Sequence, residues 1–527
     1  MTLIDSLKSF FKKGKVKVGM GNYLKTITDH PNINLPPSEI LRIQEDLRYY
    51  RNDMKNVHYY NTYNQKKERK PHTLALTKQM SRQLASLVFN EGMTISIQPH
   101  ADEQGTTVDH DDDVLDQFIK KVLADNNFNQ NYEENLELGI ATGGFAIRPY
   151  VENGTIKLAW IGADQFVPLE SNTNEITSAA IINKRTVSER DTTIWYSLLE
   201  FHNYDEVAHT ETIENEVYRS ETAGEIGQNV PLSNWDENLP EKVVFSGLSR
   251  PTFAYFKMPG KNNFAVESPL GVGVSENAKS IIDAANIAYD QYVREVQLAK
   301  RRVFVPYSMI RPVAKQEGDL FDGGFPQFDE DEDIFMQFKD KEGTSITQVD
   351  TTIRNVQYTA TLQYHLHALE NNVGLSQGTL TTDGAINDKT ATEVVSDNSA
   401  TYRTRSSIIT QCEKQLYGLI RSILELANLP LFDGKTLINY DIQKNPIDIN
   451  LHFEDGVFVD KDAQAKQDML IVQQGMMPKV EFLQRNYGLS EEDAKRWVQD
   501  AQDDVANDDD VLPNNQKGMF GDGGGDE

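Results

Sequence analysis

The sequence predicts an α+β protein, an elongated multi-part subunit whose long amphipathic helices follow a mixed front half. Three observations carry this. The chain has 527 residues, 39% of them apolar and 25% charged, so most of it folds, but as several parts rather than one core. Up to about residue 260, helical periods alternate with strand periods and turn signals. Beyond Ser275, apolar stripes at helical spacing run longer than the rest of the chain can obviously cover, which suggests that copies of the subunit pack side by side.

In order along the chain, structure is expected to begin near Pro36. Ser38 is placed as an N-cap, with Ile40, Ile43, Leu47 and Tyr50 following at helical spacing. A second helix is expected over Thr77 to Asn90. Ile95 and Ile97 alternate with polar residues, and after the acidic Asp109, Asp111, Asp112 and Asp113 a short helix runs towards Leu123. Gly144 to Tyr150 and Ile156 to Ile161 flank Asn153-Gly154, a hairpin turn signal, because both residues accept positive φ. Further strands are expected between Thr192 and His202 and around Val243 to Tyr255.

From Ser275 to Arg302 the spacing predicts one helix, striped by Ala278, Ile281, Ile282, Ala285, Tyr289, Tyr292, Val296 and Ala299 and capped by Ser275. Its length would be about 40 Å at 1.5 Å per residue. Arg294 is expected to pair with Asp290 four residues earlier rather than to stand free. A β-rich or irregular module follows, with the acidic run Asp329, Glu330, Asp331, Glu332 and Asp333. Tyr358, Leu362, Leu366, Leu369 and Val373 then predict a second helix, ended by Gly374. The polar stretch from Leu375 to Asp388 is expected to bury little. A third helical region runs from Lys389 to Ala427, with Ser396 to Ser399 letting it bend. Ile447, Ile449, Leu451 and Phe453 alternate as a half-buried strand, and three short helices close the ordered part, the last capped by Ser490.

The search for chemistry is mostly one of exclusion. Gly374-Leu375-Ser376-Gln377-Gly378 fits the nucleophile elbow of a serine hydrolase, the alternative reading of the chain, but a helix enters it where a strand belongs. Gly434-Lys435-Thr436 lacks the first glycine of a phosphate loop, and Gly271 and Gly273 lack the third glycine of a dinucleotide motif. His365 and His367 point to different faces of a helix, and no metal or cofactor is expected. Cys412 is the single cysteine, which excludes an intrachain disulfide and suits a reducing cytoplasm. The 80 acidic residues exceed 52 basic ones, so tight non-specific grip on DNA is disfavoured. No apolar run is long enough to span a bilayer. Met1 to Lys17, with apolar residues before its lysines, could serve as a membrane-surface helix, a third reading, but is expected to be a docking or partly disordered arm.

Several stretches, taken in order, resemble the portal proteins of tailed bacteriophages, especially the long-tailed siphophage type. They are Leu84 to Glu91, the hairpin from Gly143 to Pro168, Ser268-Pro269-Leu270-Gly271 running through Ile281-Ile282-Asp283 to Tyr289-Asp290, Gly374-Leu375-Ser376, and Lys389-Thr390-Ala391-Thr392-Glu393-Val394. The resemblance covers roughly Ile40 to Val505 and implies a non-enzymatic subunit with wing, stem, clip and crown. Its parts would be an N-terminal arm at 1–35, an α+β wing at 36–270, stem helices at 271–302 and 351–374 around a clip at 303–350, and a tunnel loop at 375–388. A kinked helix and wing strand would occupy 389–456, crown helices 457–505, and a disordered tail 506–527.

The resemblance further implies a dodecameric ring at one capsid vertex, assembled in the host bacterial cytoplasm. Double-stranded DNA would pass through it without sequence specificity. Its partners would be the terminase large subunit, the head–tail adaptor, and the major capsid and scaffolding proteins, with no membrane. Ser376, Thr379, Thr381, Thr382, Asp383, Asn387 and Lys389 would be the loop residues nearest DNA. Lys279, Asp290 and Arg294 would be the charged stem residues, and Asp329 to Asp333 the adaptor contact. A wall with few cations suits passage, because about 40 Å of duplex presents around 24 phosphates that lysine and arginine would hold.

Overall fold

The computed structural model describes residues 23–60, 64–89, 93–99, 112–172, 175–189, 192–299, 302–306, 335–338, 347–349, 352–381, 398–431, 434–438, 440, 447–453, 461–487, 489 and 493–501. The chain divides into two units, residues 1–389 with 396–453, and residues 390–395 with 454–527.

Structure starts earlier than the sequence suggests, with the short strand β1 (Tyr23–Leu24) and a 3₁₀ turn at Ile27–Asp29, where the Thr26 amide donates to Asp29 at 2.7 Å. Helix α1 (Pro37–Tyr50) begins one residue before the expected cap. Pro37 takes the first helical position, where its fixed φ and missing N–H cost nothing, and Ser38 lies inside the first turn. Among the described residues, the strands β2 (Val57–Tyr60) and β3 (Lys66–Arg69) pair only with each other. Helix α2 (Leu76–Phe89) buries Met80, Leu84 and Val88 of the apolar stripe that the sequence offers there, and leaves its fourth residue, Leu87, half-buried.

Strand β4 (Met93–Pro99) leads to α3 (Asp112–Asp125) and α4 (Phe128–Thr142). Gly143 ends α4 with φ +101° and touches Gly271, so that a Cβ on Gly143 would lie 2.4 Å from the Gly271 carbonyl oxygen. Only glycine permits that approach. The hairpin of β5 (Gly144–Glu152) and β6 (Thr155–Gly162) turns at Asn153 and Gly154, with φ of 50° and 75°, as the dipeptide predicts.

An antiparallel sheet follows, made of β7 (Phe166–Ser171), β8 (Ile176–Glu189), β9 (Thr192–Asp205), β10 (Thr210–Ser220), β11 (Gly227–Val230) and β12 (Lys242–Ser246). Its order is β1-β11-β10-β9-β8-β7, with β12 also on β10. Strand β13 (Ala254–Lys257) adds to β5.

Helix α5 (Lys279–Leu298) follows a 3₁₀ turn at Glu276–Ala278. It is eight residues shorter than the predicted helix, and Arg302 already belongs to a strand. The tight turn leaves Ser275 in helical φ/ψ, so its buried hydroxyl caps nothing and has no hydrogen-bond partner among the described residues. Strands β14 (Arg302–Pro306), β15 (Phe335–Phe338) and β16 (Thr347–Val349) form a small sheet with β14 in the middle. This matches the expected β-rich module. The acidic run from Asp329 to Asp333 lies outside the described residues.

Helix α6 (Asn355–Val373) ends at Gly374 with φ +80°, as predicted. Helix α7 (Ser399–Ala427) starts where the bend was expected; residues 389–397 lie outside the described part. Its stripe is covered by its own chain. Ile408, Cys412, Leu416, Leu419, Ile420 and Ile423 are all buried in one cluster with α2, α4 and β5, and Tyr132 donates its hydroxyl to Gln415 at 3.1 Å. Each such aliphatic side chain contributes about 1.5–3 kcal/mol by leaving water. Cys412 is inert here, its thiol pushed up to about 12 by burial.

Strand β17 (Ile447–Phe453) alternates as predicted and pairs with β4 along its whole length.

In the second unit, α8 (Lys461–Gln473) and α9 (Lys479–Tyr487) are joined at Asp468, which accepts from Asn486 at 3.1 Å; residues 493–501 are also helical. Ser490, the expected cap, is outside the described residues, as are the 506–527 tail and residues 1–22 of the expected 1–35 arm, while Leu24, Ile27, Ile33 and Leu35 of that arm are buried in the core.

Candidate functional site: the stem helix pair and its loop

Helices α5 and α6 lie antiparallel. The end of α5 meets the start of α6, where Arg354 clasps Glu295 with its guanidinium at 2.6 Å and its own backbone N–H at 3.0 Å. The Tyr292 and Tyr358 rings sit 5.6 Å apart beside this clasp. At the other end, Ala278, Ile282 and Ala285 pack with Leu369, Leu366 and Leu362, and with Tyr49 and Met80 beneath them. Arg354 holds the Glu295 carboxyl down at about 2, well below the usual carboxylate range.

The root of α5 is tied to α1 by buried charge. Asp46 accepts from Arg42 at 3.1 Å and lies 2.8 Å from Lys279, which also pairs with Glu276 and sits over the Tyr49 ring. Burial, with Glu276 alongside, pushes the Asp46 carboxyl up to about 8, against the pull of Lys279. Tyr49 donates to both oxygens of Asp283, at 3.0 and 2.9 Å. Lys279 is therefore engaged on all sides, its side chain 16% exposed.

The expected pair of Asp290 with Arg294 does not form. Asp290 instead takes both guanidinium nitrogens of Arg69, at 2.6 and 2.5 Å, and the His72 amide at 2.9 Å. Arg69 draws its carboxyl below the ordinary range. Arg294 lies over the Tyr59 ring at 5.2 Å. The reason is energetic: a solvated i,i+4 pair offers a few tenths of a kcal/mol, and a two-pronged arginine on a mostly buried carboxylate offers more. With the Leu74 amide bonded to Asn286, residues 69–74 form a strap along α5.

Away from this strap the pair is bare. Ile287 is 58% exposed, Leu298 53%, Val356 71% and Tyr364 70%. Two of the three predicted rods thus keep aliphatic surface that their own chain, as described, does not cover, whereas on α7 the large apolar residues exposed are Tyr402 and Tyr417, at 47% and 39%, and its aliphatic stripe is covered.

The loop after α6 is better anchored than its composition suggests. Leu375 and Ser376 are buried. The Ser376 amide donates to the Thr401 hydroxyl at 2.8 Å, and the Thr401 amide returns a bond to the Ser376 hydroxyl at 3.3 Å. Thr404 donates to the Gly374 carbonyl at 2.7 Å, and Thr379 to the Ser376 carbonyl at 2.7 Å. Glu370, fully buried, accepts from the Leu380 amide at 2.7 Å and the Thr381 amide at 3.3 Å, while its other oxygen meets His367 at 3.1 Å. Thr381 is buried too. The expectation that this stretch buries little fails for Leu375, Ser376 and Thr381, and holds for Gln377 and Gly378, which are exposed. Thr382, Asp383, Asn387 and Lys389 lie outside the described residues.

Glu370 and Thr401 were missed as holding residues. A signal existed for Glu370: it falls four residues after Leu366, a charge on an apolar stripe. Among the described residues no histidine bonds Ser376, whose hydroxyl accepts from the Thr401 amide. Gly434 has φ +77° and is a turn residue. Among the same residues there is no cluster of three or more His, Cys, Asp or Glu side chains fit for a metal, and no helix long and apolar enough to cross a membrane.

A mixed α+β subunit whose helix pair exposes its outer apolar turns is one piece of a larger structural assembly. The family described as phage portal protein, SPP1 Gp6-like, matches residues 29–506, and the chain belongs to it. It is a virion component, structural rather than enzymatic, and membership implies a homo-oligomeric ring. No curated protein matches the chain. Among solved structures it is similar to a chain of the virion of a native gene transfer agent particle, at 10% identity and a TM-score of 0.40, covering 93% of this chain and 99% of that one.

Proposed function

We propose that twelve copies form the channel at one capsid vertex, through which a separate terminase drives DNA in and through which DNA later leaves. The observation that carries this reading is the antiparallel pair α5 and α6 with its uncovered outer turns. Sister copies closing around the pair would bury that surface. In this reading 271–302 and 351–374 line the stem, and 303–350 form the clip that meets the head–tail adaptor through the acidic run Asp329 to Asp333. The loop from 375 to 388 approaches DNA, its base held by Ser376, Thr379 and Thr381, and Thr382, Asp383, Asn387 and Lys389 meeting the duplex. Lys279, being engaged by Asp46 and Glu276, is left out of that wall. Major capsid and scaffolding proteins surround the ring.

The acidic balance supports passage. A duplex slides where few cations hold its phosphates, and this chain carries a net charge of −28. The test is mass by light scattering with electron microscopy on purified protein. Rings are expected; a stable monomer at micromolar concentration overturns the reading.

A further inference from the structure

The hairpin of β2 and β3 is structurally incomplete on its own. Among the described residues its strands pair only with each other, and none of their eight residues is buried. A lone two-stranded hairpin is marginal in water and needs a third surface. Within the chain it has a cross-strand contact of His58 with Glu68 at 3.2 Å, and two tethers to α5, Arg69 on Asp290 and Tyr59 under Arg294.

Its chemistry runs against the rest of the molecule. Residues 55–70 hold Lys55, Lys66, Lys67, Arg69 and Lys70 against the single acid Glu68, in a chain whose total is −28. Lys66, Lys67 and Lys70 stand in solvent, beside Tyr60 at 67% and Val57 at 37% exposure.

We propose that this hairpin is an assembly arm that docks on the acidic surface of the adjacent copy in the ring. The inference rests on the ring reading above and adds the surface that makes it. Two observations choose a second copy over a nucleic acid. The arm lies between α1 and α2 in the chain and is held to α5 by Asp290 and Arg294, on the same helix that leaves Ile287 and Leu298 uncovered, so it adjoins the face that copies must close. It also mixes exposed apolar and aromatic residues with its lysines, which suits a protein surface better than a row of phosphates. Acidic copies repel one another, and a basic arm offsets that repulsion where they meet.

The test compares the full chain with a triple variant, Lys66→Glu with Lys67→Glu and Lys70→Glu, by light scattering and circular dichroism. These side chains touch no core, so the spectrum is expected to stay unchanged while the concentration for half-assembly rises at least about tenfold. The milder triple change to Gln is expected to fall between the two, and it decides the matter should the Glu form misfold. If the wild-type chain forms no rings, the ring reading itself fails. If the wild type forms rings and both variants assemble equally well, the arm is refuted. Intact rings with weakened binding of a fluorescent duplex would refute it also, and assign the hairpin to DNA.

Discussion

Glu370 shows how one side chain can set the use of a loop. A buried carboxylate that accepts two backbone amides fixes where Leu380 and Thr381 sit. Replacing Glu370 with Leu removes the one oxygen that accepts both amides and leaves two donors unmet, at about 1–3 kcal/mol each. The expected result is a lower melting temperature and faster amide exchange at Leu380 and Thr381, with α7 protected as before. Unchanged exchange would show that the loop is held elsewhere. The Arg354 clasp gives a pH signature at the same scale. Its depressed carboxyl means that the contribution of the clasp is fully present above about pH 4.5 and is lost as pH falls through about 2. By NMR, Glu295 should titrate near the bottom of that window, and Arg354→Gln should return it to the ordinary carboxylate range. Gly143 is a third case. Ala there meets the Gly271 carbonyl at a φ that side chains avoid, and a loss of more than about 2 kcal/mol is expected by denaturant melting.

Elements were legible in the sequence where the signal is local. The Asn153-Gly154 hairpin, the Gly374 stop and the alternation at 447–453 all follow from a few neighbouring residues and came out as read. What failed depends on distant partners. The Asp290–Arg294 pair was a sound local expectation, displaced by Arg69 from 221 residues away. Ser275 was a fitting cap until the 3₁₀ turn changed the register. The polar loop was misjudged because its acceptor, Glu370, sits on the helix before it. A helical stripe also says that a face is apolar, not who covers it, and so α7 and α5 read alike. The two now separate by experiment. Leu298→Glu on α5 should leave the fold intact by circular dichroism and abolish rings, whereas Leu419→Glu on α7 should unfold the subunit. Deleting residues 382–388, beyond the anchored base, should preserve rings and impair DNA retention.

For the whole molecule, the pairing of β4 with β17 matters most. Seven residues at 93–99 find their partner about 350 positions later, at 447–453. During translation the first of these strands leaves the ribosome long before the second exists, and its edge must wait unpaired. A message cut anywhere in between yields a polypeptide with that edge permanently open, prone to clumping rather than to entering a growing particle. The late strand therefore ties the two ends of the fold together: only a chain translated past Phe453 can close the edge of β4.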